Sequence, residues 1–432
     1  MSSYAITLWD SLKYEIFNVQ EEDLAEEALI ALRAIAAKLS QGLTSPDPKT
    51  ALARYLWPIT KECNEQLQEP QHKQAKPAGQ ILSSLASAST IALFLIVKAI
   101  VPPLLTLIQD ADSIANQRAL LEVLVQLFDS AITISDIHGA GVPAAEISNP
   151  LDPFKDRLFE LSSQALMSTA HEEVSFRVMA LRTLLRLCTL PRYLQDNEIG
   201  MFVQYLNEII LLENLDGRDD LKKEAIKALA NISSIKPHLI RDITFPAFMA
   251  KLPDSNPADK RDYIITLEGL ALLSTEKSII DTIIRRLLNK LDTVLQHEGS
   301  CAYPQAIISS FIYILNERDL TQDPNLSTYN EKIVVGLVSR AALACAGHQQ
   351  TPALTDQSML ETLGRLTTKI IRALDEHKQR SVGLQIYSLF TDEPQFVPVP
   401  YRNDATKAQR STMILSTSLM AGVGKGVSLN PK

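Results

Sequence analysis

The sequence predicts an all-α protein built as a solenoid, a superhelix of stacked antiparallel helix pairs. Three observations predict it. The chain has 432 residues, more than the roughly 250–300 at which a single hydrophobic core stops growing, so it is several domains or an array. Apolar residues recur at helical spacing along almost the whole chain, and no run alternates in the manner of a strand. Glycine is scarce at 15 residues and aromatics make up 6%, whereas open α/β sheets need glycine in their strand–helix turns. Leu, Ile and Ala dominate instead, and these suit thin layers of packed helices.

The helices follow in order. Residues 3–17 set Ile6, Trp9, Leu12, Ile16 and Phe17 on one stripe. The run 20–40 opens on Gln20-Glu21-Glu22-Asp23, acids that complement the positive end of a helix dipole. Its predicted apolar face is Leu24, Ala28, Leu32, Ile35 and Leu39, and Gly42 with Ser45-Pro46-Asp47-Pro48 stops it. Further helices are predicted at about 48–68, 79–88, 90–109 and 113–132. The run Ile91–Ile108 is apolar enough to suggest a membrane span. Lys98 at its middle and Pro102-Pro103 after it favour a buried solenoid helix, because a central lysine in a bilayer is costly. No partner membrane is therefore expected.

The helices read as pairs. The first of a pair is strongly apolar and often carries a proline, as at Pro102 and Pro246; the second opens on a charged residue followed by aliphatics. Four second helices superpose at Arg118–Leu121, Arg177–Ala180, Lys222–Ala225 and Arg261–Ile264. From Ala180 to Ala225 to Ile264 the step is about 40–45 residues, the period of HEAT/armadillo-like arrays. The step from Leu121 to Ala180 is longer, and the excess is read as an inserted loop at about 134–153. The array is thus placed at 1–390, a proline-rich linker at 391–406, and a further helix with a frayed tail at 407–432.

The residues offer little chemistry. Gly424-Lys425 lacks the Ser or Thr and the first glycine of a phosphate loop, and no H-E-x-x-H or G-x-S-x-G occurs. Cys345-x2-His348 and the His297/Cys301 pair each supply two metal ligands where zinc takes four. Cys63, Cys188, Cys301 and Cys345 are widely spaced and read as free thiols of a reducing compartment. No catalytic, cofactor or metal residue is nominated, and the chain is expected not to be an enzyme. The net charge of −8 argues against direct nucleic-acid binding, which needs a cationic surplus. Three basic clusters stand out: Arg182/Arg186/Arg192, Lys222/Lys223/Lys227 and Arg285/Arg286/Lys290. They read as solvated helix faces, or as an inner ridge that meets an acidic partner.

Particular stretches narrow the scaffold. Leu8-Trp9-Asp10-Ser11-Leu12, Glu15-Ile16-Phe17, Ala25–Leu32, Asn116-Gln-Arg118, Leu121–Leu124 and Asn149–Leu158 resemble the central region of the Mms-nineteen family of DNA repair and transcription proteins. The resemblance runs from about 6 to 420. It implies a HEAT-repeat adaptor of the cytosolic iron–sulfur assembly targeting complex, present in cytoplasm and nucleus. Such an adaptor neither holds nor transfers the cluster. Its implied partners are the other targeting-complex subunits and apo iron–sulfur clients such as helicases, primase and polymerases. Family members are longer, so their C-terminal repeats are expected to lie outside this chain. The competing reading is another HEAT scaffold, such as a nuclear transport receptor or a phosphatase regulatory subunit.

Overall fold

Several helices in this protein start where a side chain satisfies one of their free N–H groups. The computed structural model describes residues 2–17, 22–71, 74–139, 149–168, 173–213, 220–274, 277–297, 300–316, 319–345, 352–391, 407–424 and 427. Among them there is no strand. The Thr50 side chain accepts from Ala53 N (3.2 Å) to open one helix, and Ser89 accepts from Ala92 N (3.1 Å) to open another. Asp356 does the same for Ser358 N at 2.9 Å.

The chain divides into two units, residues 1–243 and 244–432. In the first, the helices are α1 (Ser2–Phe17), α2 (Glu22–Ser40), α3 (Ala51–Leu67), α4 (Ala75–Ala86), α5 (Thr90–Asp110), α6 (Ile114–Gly139), α7 (Lys155–Leu166), α8 (Val174–Thr189), α9 (Asp196–Leu211), α10 (Asp220–Ile235) and the single turn α11 (Pro237–Leu239). They pack as pairs: α1 with α2, α3 with α4, α5 with α6, α7 with α8, α9 with α10. The second helices form one continuous row, α2–α4–α6–α8–α10, and α1–α3–α5 form a facing row. Each pair thus buries one face on its partner and another on the next pair, which is how a solenoid makes a core from units that cannot fold alone.

In the second unit the helices are α12 (Phe245–Lys251), α13 (Ile264–Leu272), α14 (Lys277–Leu295), α15 (Ala302–Asn316), α16 (Leu326–Tyr329), α17 (Gly336–Cys345), α18 (Gln357–Ala373), α19 (Glu376–Thr391) and α20 (Lys407–Met420). A π-helical turn, Asn330–Val335, joins α16 to α17. The second-helix row continues the same logic as α13–α15–α18–α20. The fold is therefore the all-α, HEAT-like solenoid that the periodicity predicts.

Polar rungs tie successive repeats together. Ser83 and Ser130 hydroxyls meet at 2.8 Å between α4 and α6, and Lys13 pairs with Glu62 (3.2 Å) between α1 and α3. Lys155 pairs with Glu198 (2.7 Å) between α7 and α9. In the second unit Gln305 donates to Thr362 (2.9 Å) between α15 and α18, and Arg340 pairs with Asp292 (2.9 Å) between α17 and α14.

Several expectations shift in detail. Leu24 is exposed, and the buried stripe of α2 is Ala28, Leu32 and Ala36. Ala28 and Leu32 are buried as expected, while Ile35 and Leu39 lie at the margin and Ala36 takes the buried place. Helix α6 continues to Gly139, so the segment before the fourth pair starts later than 134; residues 140–148 lie outside those described. Arg261 sits in the 3₁₀ turn Lys260–Asp262, one turn ahead of α13, whereas Arg118 and Arg177 lie on their second helices as aligned. The stretch 392–406 lies outside the described residues. The apolar helix with Lys98 is α5, whose Ile91, Ile96, Val97, Ile100, Val101, Leu104 and Leu105 are buried in the first unit, with Lys98 exposed.

Candidate protein-interaction surface

Burial decides what the cysteines can do. Cys63, Cys188 and Cys345 are buried and Cys301 is half-buried, all as free thiols. Burial pushes the Cys345 thiol up to about 11 and those of Cys63 and Cys188 higher still. These three are protonated at neutral pH and are poor nucleophiles and poor metal ligands in that state. Among the described residues no three His, Cys, Asp or Glu gather in a metal-holding group. His348 and Lys425 lie outside the described residues; Gly424 N donates to Gln379 Oε1 at 2.9 Å.

Part of each basic cluster is paired within the fold. Arg182 on α8 pairs with Glu224 on α10 at 3.8 Å, and Arg186 pairs with Asp129 on α6. Lys227 is 2.9 Å from Glu224. Lys290 donates to Leu252 O (3.0 Å) and to the Asp254 carboxylate. Arg192 occupies a left-handed backbone conformation at φ 59° in the turn after α8. Arg182 and Arg186 thus act as rungs between repeats, while the Lys227–Glu224 pair lies within α10.

Two of the surface grooves among the described residues hold exposed aromatic side chains, and the sequence pattern nominates neither. One lies between α13 and α15 in the second unit, about 530 Å³ in volume, with Ile264, Leu272 and Tyr313 half-exposed on its wall beside Lys260 and Glu268. The other lies between α3 and α5 in the first unit, about 520 Å³ in volume. Its wall holds Pro46, Pro48, Trp57, Leu95, Arg54 and Lys98. Trp57 is 68% exposed, whereas the other tryptophan, Trp9, is 2% exposed and donates from Nε1 to Glu62 (2.9 Å). The available signal in the sequence was Trp57 standing outside the buried stripe Leu52, Leu56, Ile59, Cys63 of α3. Periodicity reports which residues enter a core and gives no weight to one left out of it.

A chain of stacked helix pairs with grooves between successive helices is a HEAT-type scaffold, a class whose members offer extended surface. Comparison with known proteins narrows this. Residues 266–432 match the family model described as RNAPII transcription regulator C-terminal, of the MMS19 proteins. The chain is 23% identical over 418 residues to the DNA repair/transcription protein mms19 of Schizosaccharomyces pombe, covering 95% of this chain and 39% of that protein. It is 25% identical over 399 residues to the MMS19 nucleotide excision repair protein homolog of Xenopus tropicalis, covering 89% and 38%. For the Homo sapiens homolog the figures are 22% over 371 residues, 84% and 35%. The chain is similar to these MMS19 proteins along most of its length, and it spans well under half the length of these relatives. The family match reaches into a C-terminal region, which the sequence reading places outside this chain.

Solved structures of Kap121p and importin beta resemble it at 14% and 12% identity, covering 95% and 93% of this chain and 41% and 54% of theirs. Their TM-scores are 0.38 and 0.37.

Proposed function

We propose that this protein is a non-catalytic adaptor in DNA repair and transcription that recruits apo iron–sulfur proteins to the cytosolic machinery for cluster insertion. The observation that carries the reading is the likeness to MMS19 proteins of fungi and vertebrates along 84–95% of the chain. The fold supports it. An adaptor needs long stretches of surface and no reacting centre, and stacked helix pairs supply the first. The protonated, buried thiols of Cys63, Cys188 and Cys345 suit a protein that hands on clients without holding their cluster. Its expected partners are cluster-bearing helicases, primase and polymerases and the other targeting subunits, met in cytoplasm and nucleus.

Affinity purification of the tagged chain, read by mass spectrometry, tests this. Recovery of a cluster-bearing helicase, primase or polymerase, or of a targeting subunit, is the expected result. Recovery of none of these, with a GTP-loaded small GTPase or a phosphatase in their place, overturns it in favour of a different HEAT scaffold.

A further inference from the structure

We infer that the groove between α3 and α5 is a docking site for an acidic segment of a partner protein that inserts one large apolar side chain against Trp57. Four observations converge on it. Trp57 is the most exposed aromatic side chain among the described residues, at 68%. A tryptophan left in water costs solvation, and at interfaces it is the side chain most often found carrying binding energy. Beneath and beside it, Leu95, Pro46 and Pro48 give a wall for an apolar anchor. The volume of about 520 Å³ lies in the range that buries ligand-sized groups.

The charge on the wall selects the occupant. The lining residues include two cations, Arg54 and Lys98, and no carboxylate. Both cations are exposed, and neither has an ion pair or a hydrogen bond among the described residues, unlike the arginines and lysines of the repeat rungs. Together they make this wall cationic in a chain of net charge −8. The nearest acid in sequence, Asp47, accepts from the Lys49 backbone N–H (2.9 Å) to hold the turn and does not line the groove. The groove in the second unit differs here. Its wall carries one cation, Lys260, and one anion, Glu268, so charge there names no occupant.

The prolines add backbone acceptors at the same place. Pro58 removes the helical donor to Arg54 O, and Pro102 and Pro103 remove those to Lys98 O and Ala99 O. Of these three carbonyls, Ala99 O accepts a long bond from Asn64 Nδ2 at 3.5 Å. Arg54, Lys98 and Ala99 all line the groove. A bound peptide therefore finds carbonyls for its N–H groups beside cations for its carboxylates.

The chain reports its own occupancy, because Trp57 and Trp9 are its two tryptophans. The probe is a synthetic acidic peptide, Glu-Asp-Glu-Leu-Phe-Asp-Glu-Glu, titrated into the full chain while tryptophan emission is followed. Saturable quenching or a blue shift that is absent from the Trp57→Phe variant is expected. Arg54→Glu with Lys98→Glu should weaken binding roughly tenfold, as should raising salt from about 50 mM to about 300 mM. The milder pair Arg54→Gln with Lys98→Gln should weaken it less, with unchanged helical circular dichroism. Replacing Leu-Phe in the probe by Ser-Ser should abolish the emission change. No emission change at millimolar probe, equal binding of a Lys-for-acid version of the probe, or indifference to both double variants would overturn the inference. Its test does not involve iron–sulfur clients, so it stands or falls separately from the proposed function.

Discussion

Arg177 is the residue whose removal should cost this fold most for its size. Its side chain is 1% exposed. Nη1 donates to Glu213 Oε2 at 2.7 Å, Nη2 to Glu213 Oε1 at 2.6 Å, and Nε to Leu166 O at 2.7 Å. One guanidinium on α8 thus holds the end of α7 and the residue that follows α9. Arg177→Met keeps most of the apolar stem and removes all three bonds. Breaking a buried pair by deleting one partner costs about 3–5 kcal/mol. Glu213 is 18% exposed and regains some water, which sets the pair near the bottom of that range. Leaving Leu166 O without its donor adds about 1 kcal/mol. The expected loss is therefore about 4 kcal/mol. It should appear as a lower urea midpoint at constant slope, followed by far-ultraviolet circular dichroism. Arg177→Met combined with Glu213→Leu leaves no orphaned charge and should recover at least half of the loss. A single variant within about 1 kcal/mol of the parent, or a double variant no better than the single, would refute the reasoning.

Other substitutions test the packing and the titration. A Cβ at Gly364 on α18 would stand 2.3 Å from Ser418 Cβ on α20; Gly364→Ala should cost about 1–3 kcal/mol by overpacking, and Ser418→Gly added to it should restore most of the melting temperature. Iodoacetamide applied to the native chain should label half-buried Cys301 well before Cys63, Cys188 and Cys345, whose thiols burial keeps protonated; peptide mapping that shows equal rates would contradict the burial order. Asp196 is held below the usual carboxylate range by hydrogen bonds from Lys236 and then His238, Asp254 by Lys290, and Asp375 by the Lys378 N–H. Depressed values mean stability that is present above the ordinary aspartate pKa of about 3.9 and lost as pH falls through the folded ones. The triple Asp→Asn variant should melt slightly lower at neutral pH, its curve converging with the parent's as pH falls below about 4; a widening gap would show the opposite sign.

Much of the architecture was legible because solenoid packing is local. The stripe through Trp9 and Ile16, the Lys98-bearing helix α5 and the alignment of Arg118, Arg177 and Lys222 all depend on residues within one or two helices of each other. Where the reading slipped, a neighbour two helices away decided. Leu24 fits the periodic face of α2, yet Ala28, Leu32 and Ala36 are the residues that α2 buries. Arg177 marks a repeat in the sequence, and its carboxylate partner Glu213 stands 36 residues on. Arg182 and Arg186 looked available for partners because their carboxylates, Glu224 and Asp129, sit on other repeats.

That last point gives the groove at Trp57 its weight. A solenoid offers much solvated surface, so exposure by itself distinguishes no residue. Several charges in the described repeats pair with the next repeat: Lys155 with Glu198, Arg182 with Glu224, Arg340 with Asp292. Such rungs contribute little energy each, about 0–1 kcal/mol at the surface, but they set the expectation that a cation here has a use inside the array. Arg54 and Lys98 depart from it together, on two successive first helices, on either side of one exposed tryptophan and above carbonyls that prolines have freed. Packing explains none of these four features, since Leu52, Leu56 and Ile59 of α3 and Ile96, Val97 and Ile100 of α5 already supply the contact between the helices. Features that stability does not require, gathered within one groove, are what a recognition surface leaves in a scaffold.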